Sequence, residues 1–210
     1  MAEDILTVLE GKWEHGTRPA DLYERIIAAR PRAHVGALLE GLASKKRRVQ
    51  AGCAELASRL SADQPDLLYP HLDVFLRNLH AKEPVLRWEA VCTVGNLVAV
   101  DGEKLVPKHV DELVALLSDE SIVLQGHAVR ALAKVAHQYP ELAPSLLSSL
   151  LRAARHFPGT RVGYIVEATE TFAAHEALVP TIRKFLAPHA RSEHAPVARK
   201  AKKALKRLGG

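Results

Sequence analysis

The sequence is poor in cysteine, in aromatic residues and in long apolar runs, and each shortage removes a class of answer. Cys53 and Cys92 are its two cysteines, with no Cys-x-x-Cys, so neither a disulfide framework nor a cysteine zinc site is encoded. Each falls at an Ala-like position of a helical pattern, where a thiol behaves as a small hydrophobe. Aromatics make up 5% of the 210 residues, so any core must be built from Leu, Val, Ile and Ala. Leu and Ala are also the strongest helix formers. Strict alternation of β-branched residues, the strand signal, is missing. No apolar run reaches the roughly 18 residues of a membrane span. Met1-Ala2-Glu3-Asp4 has neither the basic start nor the apolar run of a secretion signal, so a cytoplasmic protein without membrane contact is expected. Gly-x-Ser-x-Gly, His-Glu-x-x-His and a phosphate-cradling Gly-Lys-Ser/Thr loop are absent as well. The eleven histidines mostly stand singly at helix ends or joints. His175 and Glu176, with Glu170 upstream, come nearest to a metal cluster but match no ligand spacing. The expectation is a protein with no catalytic residue, no cofactor and no metal.

What is present is a repeat. Leu86-Arg87-Trp88-Glu89-Ala90-Val91-Cys92-Thr93-Val94-Gly95-Asn96-Leu97 returns 38 positions later as Leu124-Gln125-Gly126-His127-Ala128-Val129-Arg130-Ala131-Leu132-Ala133-Lys134-Val135. Both copies open on an aliphatic, place Ala four positions on, and return to aliphatics eight and eleven positions from the start. At 3.6 residues per turn these form one stripe of a helix. One apolar stripe recurring every 35 to 40 residues is the signature of stacked helical units. Prolines mark the period: Pro70, Pro107, Pro144 and Pro180 lie 37, 37 and 36 apart, with Pro31 39 ahead. Proline is tolerated in a first turn, where its missing N–H costs nothing.

The pattern therefore predicts a first helix over Pro31–Leu42, Leu67–Leu79, Leu105–Leu117, Leu142–Ala154 and Leu178–Leu186 in successive units. The second helix is predicted over Arg47–Leu60, Val85–Val98, Ile122–His137, Arg161–Ala173 and Pro196–Leu208. Short polar joints such as Ser44-Lys45-Lys46 and Ser118-Asp119-Glu120-Ser121 force each pair antiparallel. In the fourth second helix the best register buries Ile165, Ala168 and Phe172 and turns Tyr164, Glu167 and Thr171 outward. Residues 1–30 hold two short helical patterns, Ile5, Leu6 and Leu9, then Leu22, Tyr23, Ile26 and Ile27 after Pro19, which suit a terminal cap. The organisation expected is a cap over 1–30 and repeats over 31–210, with units near 31–61, 66–99, 104–138, 141–175 and 177–208, in one continuous domain.

These features resemble the HEAT-repeat family and its armadillo relatives. The motifs that carry the resemblance are Leu86 to Leu97, Leu124 to Val135, and Val197-Ala198-Arg199-Lys200-Ala201-Lys202-Lys203-Ala204-Leu205. They are similar to the family's second-helix pattern of an aliphatic, Arg, two variable residues and Ala-rich apolar positions. The likeness covers about Pro31 to Leu208, some five units. It implies an all-α, right-handed α-α superhelix with second helices lining the concave face. The family carries an Arg near the start of the second helix and an Asp in the joint before it. Arg87 and Asp119 match these, while Gln125 and Ala198 stand in place of the Arg. Members mostly scaffold or bind proteins, and a minority bind nucleic acid. DNA glycosylases for alkylated bases use similar solenoids with aromatic and Asp residues in a basic groove. Trp88 and Tyr164 could supply the aromatics, but no Asp occupies a matching second-helix position.

On that geometry the face offered to a partner includes Arg87, Trp88, Asn96, His127, Arg130, Lys134, Tyr164 and Glu167. Its mixture of aromatics and both charge signs suits protein recognition, where Trp, Tyr and Arg anchors concentrate binding energy. The chain's net charge is +5, yet from Thr181 onward nine Lys/Arg face one acid, a surplus of eight, leaving −3 for the remainder. The alternative partner is therefore nucleic acid, bound through Arg199, Lys200, Lys203 and Arg207 with salt-dependent affinity. The same helix also reads as a polar cap that stops further stacking, its cations suiting the negative end of the helix dipole. Lys45-Lys46-Arg47-Arg48 reads as a solvated joint. The expectation is a monomeric, non-enzymatic scaffold for a protein partner.

Overall fold

The computed structural model describes residues 4–209, and these contain helices and turns but no strand. Met1 to Glu3 and Gly210 lie outside the described residues. The chain falls into two compact units divided after Glu103.

The first unit opens with α1 (Ile5–Glu10), which begins where Asp4 accepts from the Leu6 backbone N–H at 3.1 Å and from Thr7 Oγ1 at 2.6 Å. These bonds hold the Asp4 carboxyl below its ordinary range, the Thr7 hydroxyl most of all. α2 (Pro19–Leu22) runs into one π-helical turn, Tyr23–Ile27. Two helix pairs follow, α3 (Pro31–Leu42) with α4 (Arg47–Asp63), and α5 (Leu72–Asn78) with α6 (Pro84–Leu97). The second unit holds three pairs: α7 (Val110–Ala115) with α8 (Ile122–Gln138), α9 (Ala143–Ala154) with α10 (Val162–Phe172), and α11 (Val179–His189) with α12 (Ala195–Arg207).

Four of the first helices differ from the sequence pattern in length, two of them sharply. The α-helical parts of α5 and α7 are 7 and 6 residues long, against predicted spans of Leu67–Leu79 and Leu105–Leu117. Pro70 and Pro107 sit in the 3-10 turns Tyr69–His71 and Val106–His109 that lead into these helices. A residue before proline is disfavoured in the α region, and a 3-10 turn accommodates proline at its start. Pro144 and Pro180 instead occupy the second position of α9 and α11, where the α-helix begins almost at once.

A recurrent joint chemistry joins the members of a pair. Ser44 Oγ accepts from Lys46 N at 3.1 Å, Asp119 Oδ1 from Ser121 N at 2.8 Å, and Ser192 Oγ from His194 N at 3.2 Å. In each case the donor is the residue immediately before the second helix. A second set of side chains reaches backward. Gln50 Nε2 donates to Leu42 O at 3.0 Å, Arg87 Nε to Leu79 O at 2.9 Å, and Gln125 Nε2 to Asp119 O at 2.7 Å. Carbonyls at a helix C-terminus have no partner within the helix. Arg and Gln are interchangeable here because both offer a long-reach N–H donor, so Gln125 fills the position that Arg87 fills one unit earlier.

Aliphatic side chains make the core, among them Leu38, Leu56, Leu60, Leu97, Leu132 and Ile165, all fully buried. Each such Leu or Ile contributes about 1.5–3 kcal/mol relative to exposure. Phe75 in the first unit and Phe172 in the second are the largest fully buried side chains. α3 and α4 approach so closely that a Cβ on Gly41 would lie 2.1 Å from Cys53 Sγ. Burial in that contact pushes the Cys53 thiol up to about 12, so it is inert packing.

The run Lys45 to Arg48 is exposed but engaged. Lys46 Nζ lies 2.6 Å from Glu10 Oε1, Arg48 NH1 donates to Gly11 O at 2.7 Å, and Arg47 Nε is 3.6 Å from Glu83 Oε2. The joint is solvated, and Lys46 and Arg48 also tie the end of α1 to the start of α4.

Candidate binding faces of the second helices

In the first unit the second helices α4 and α6 pack side by side. Two polar residues of α6, Glu89 and Asn96, reach across to α4. Asn96 Nδ2 donates to Ser58 O at 3.2 Å and to Ser61 Oγ at 2.8 Å, so its amide bridges α6 to α4. Arg87 reaches the Leu79 carbonyl, as described. Trp88 is half-buried and its Nε1–H donates to Glu89 Oε1 at 3.2 Å. Burial pushes the Glu89 carboxyl above its ordinary range, against the hydrogen bonds from Ser58 and Trp88. Arg59 NH2 pairs with Glu55 Oε1 at 2.9 Å along α4. Trp88 is thus the aromatic side chain of this face, and it remains half-exposed.

In the second unit α10 packs against both α8 and α12. Three triplets at i, i+3 and i+7 stand in matching register: His127, Arg130 and Lys134 on α8; Tyr164, Glu167 and Thr171 on α10; Lys200, Lys203 and Arg207 on α12. Residues so spaced share one side of a helix. Arg130 Cζ lies 5.4 Å from the centroid of the Tyr164 ring, within cation–π range. The same ring presses on Gly126, where a Cβ would lie 3.2 Å from Tyr164 Cε2 and Cζ. Tyr164 therefore packs on α8 at both Gly126 and Arg130. Burial, and then the charge of Arg130, hold the His127 imidazole below its ordinary pKa.

Across the other seam, Lys200 Nζ meets Glu167 Oε2 at 2.9 Å and Arg207 pairs with Glu170. A shallow groove of about 310 Å³ lies beside the second pair, lined by Thr169, Glu170, Ala173, Ala204, Arg207 and Leu208. Arg183 answers the terminal carbonyls of Leu208 and Gly209, the latter at 3.2 Å. The sequence reading did not single out Gly126 or Glu170 for this face. Glu170 lies three residues past Glu167 and 37 before Arg207, a spacing that would have pointed to it.

No protein-family model matches the sequence, and no curated protein matches it significantly. Solved structures do match. A designed armadillo repeat protein superposes with TM-score 0.68 at 18% identity over 99% of this chain and 100% of that one. A second designed armadillo repeat protein, in complex with the peptide (KR)4, gives TM-score 0.70 at 16% identity over 98% and 100%. The karyopherin Kap121p, bound to the extreme C-terminus of the protein phosphatase Cdc14p, gives TM-score 0.70 at 14% identity, with 97% of this chain covering 23% of that chain. The fold is a HEAT/armadillo-like α-solenoid.

In this solenoid the α12 helix is the strongest charge feature, carrying six Lys/Arg and no acid. Val197, Ala201 and Ala204 bury its inner side. Lys200, Lys203 and Arg207 flank α10, and Arg199, Lys202 and Lys206, also at i, i+3 and i+7, stand exposed beside them. Among the described residues no helix is long and apolar enough to cross a membrane.

Proposed function

We propose that this solenoid is a non-enzymatic scaffold that holds a segment of a partner protein against the α8–α10–α12 face. The observation that carries the reading is the set of three registered triplets, with Tyr164 at their centre packed on Gly126 and Arg130 of α8. A rigid aromatic already fixed by its neighbours loses little conformational entropy on binding, which favours it as an anchor. Support also comes from fold neighbours that hold a peptide or the terminus of a protein. A random peptide library displayed against the full chain tests it. Selected peptides should bind at least about tenfold more weakly to Tyr164→Ala and Arg130→Ala, the size expected of an anchor residue. Selected peptides that bind both variants undiminished would remove the site from this face. Trp88→Ala, assayed alongside, reports whether the first unit's face takes part.

Nucleic-acid binding through Arg199, Lys200, Lys203 and Arg207 is the second reading, favoured by the uninterrupted basic surface of α12. It requires affinity for a random-sequence duplex that falls steeply with added salt. Its second rank follows from the lack of any aromatic among these cations on which a base could stack.

A further inference from the structure

We infer that the segment bound on the α8–α10–α12 face is acidic, and that Glu167 and Glu170 hold the places its carboxylates would take. The inference rests on the scaffold reading and adds the chemistry of the partner. The face presents Arg130 and Lys134 from α8 and Lys200, Lys203 and Arg207 from α12, against two carboxylates, both from α10. Its cations already reach carboxylates, Lys200 to Glu167 at 2.9 Å and Arg207 to Glu170. Both pairs are open to water, with side-chain exposures of 40% and 57% in the first and 56% and 37% in the second. Pairs so exposed contribute little to stability and are easily exchanged for another carboxylate. A segment bearing Asp or Glu would meet Lys203 beside those two pairs, with Arg130 and Lys134 adding positive potential from α8, and complementary potential of this kind selects partners and speeds encounter. The same surface repels a basic ligand such as the (KR)4 peptide held by one of the fold neighbours.

Acidic protein is favoured over nucleic acid by the composition of α12, which offers cations but no ring on which a base could stack. The Tyr164 ring rests on Gly126 and carries Arg130 within cation–π range, both from α8. No aromatic residue is interleaved among the cations of α12.

The test uses the full chain and labelled (DE)4 and (KR)4 peptides, with a random-sequence DNA duplex as the third probe, by fluorescence anisotropy at low and moderate salt. The expected result is binding of (DE)4 and none of (KR)4. Lys203→Glu should weaken (DE)4 by about tenfold. Lys82→Glu, an exposed charge reversal in the first unit, should change it less than about twofold. The double variant Glu167→Gln with Glu170→Gln should tighten (DE)4 by about threefold to tenfold, because two cations are released. That gain is one that a purely structural role for the pairs could not produce. Loosening by the double variant, or equal loss in Lys82→Glu and Lys203→Glu, overturns the inference. So does a duplex that binds at a salt concentration where (DE)4 does not. If (DE)4 fails while library-selected peptides still depend on Tyr164, the acidic chemistry is overturned and the scaffold reading stands. If neither binds, both fall.

Discussion

The two units share one building plan and use their polar residues differently. The first holds 13 Lys/Arg against 15 Asp/Glu, net −2; the second holds 16 against 9, net +7, which together give the chain's +5. In the first, polar side chains close the structure on itself. Asn96 bridges α6 to α4, Arg48 holds Gly11, and Tyr69 O–H donates to the buried Asp101 at 2.6 Å. Tyr23 O–H likewise donates to Asp63 at the end of α4. Both phenols are raised, Tyr69 to about 12, by burial first and by the carboxylate second. In the second unit the cations of α8 and α12 stand on the surface with two carboxylates among them. A repeat architecture thus lets one stretch turn its polar groups to cohesion and another leave its cations at the surface, with no change of backbone plan.

The core is where the two should not differ, and large effects there provide the reference. Phe75→Ala in the first unit and Phe172→Ala in the second should each cost about 3–5 kcal/mol in urea denaturation. Next comes Asp101→Ala, which removes the acceptor of Tyr69 and should cost about 1–3 kcal/mol. It should leave peptide affinity at the α8–α10–α12 face unchanged. A comparable loss of affinity would break the contrast between a cohesive unit and a binding one. Gly126→Ala should act in the opposite sense. A Cβ there displaces the Tyr164 ring by a few tenths of an ångström, while Ala in a helix gains about 0.5–1 kcal/mol over Gly. Stability should hardly move while affinity for selected peptides falls.

The smallest effects are those of pH, and Glu89 of the first unit and His127 of the second act with opposite signs. The Glu89 carboxyl is raised by burial, so the folded chain binds its proton where the unfolded chain has lost it. Stability from this group is present at low pH and declines as pH rises through 4.5 toward the folded value. The His127 imidazole is lowered by burial and by Arg130, so the unfolded chain binds the extra proton. Its contribution is present above 6.5 and is lost as pH falls from 6.5 toward the folded value. Glu89→Gln and His127→Gln should each flatten its own limb of a stability–pH curve and leave the other limb alone.

The period of the prolines and the aliphatic stripe made the helix pairs readable from sequence. α3 occupies the span the pattern predicts, and in α10 Ile165, Ala168 and Phe172 are buried as the register requires. What escaped was set by distance along the chain. A helical stripe tells which side a residue takes, but not what a helix some 37 residues away offers to it. Asn96 was read as surface on its position, while its amide is drawn to Ser58 and Ser61, 38 and 35 residues earlier. The length of α5 and α7 was missed for a local reason, since a proline that opens a helix and one that sits in the 3-10 turn before it look alike in sequence.

The backward-reaching donors Gln50, Arg87 and Gln125 each answer a carbonyl within their own helix pair. Every pair so equipped carries the means of closing its own hairpin. A gene segment encoding one pair can therefore be duplicated, deleted or transplanted without a new joint having to be invented. Chain length becomes a quantity that evolution, or a designer, can change one cassette at a time.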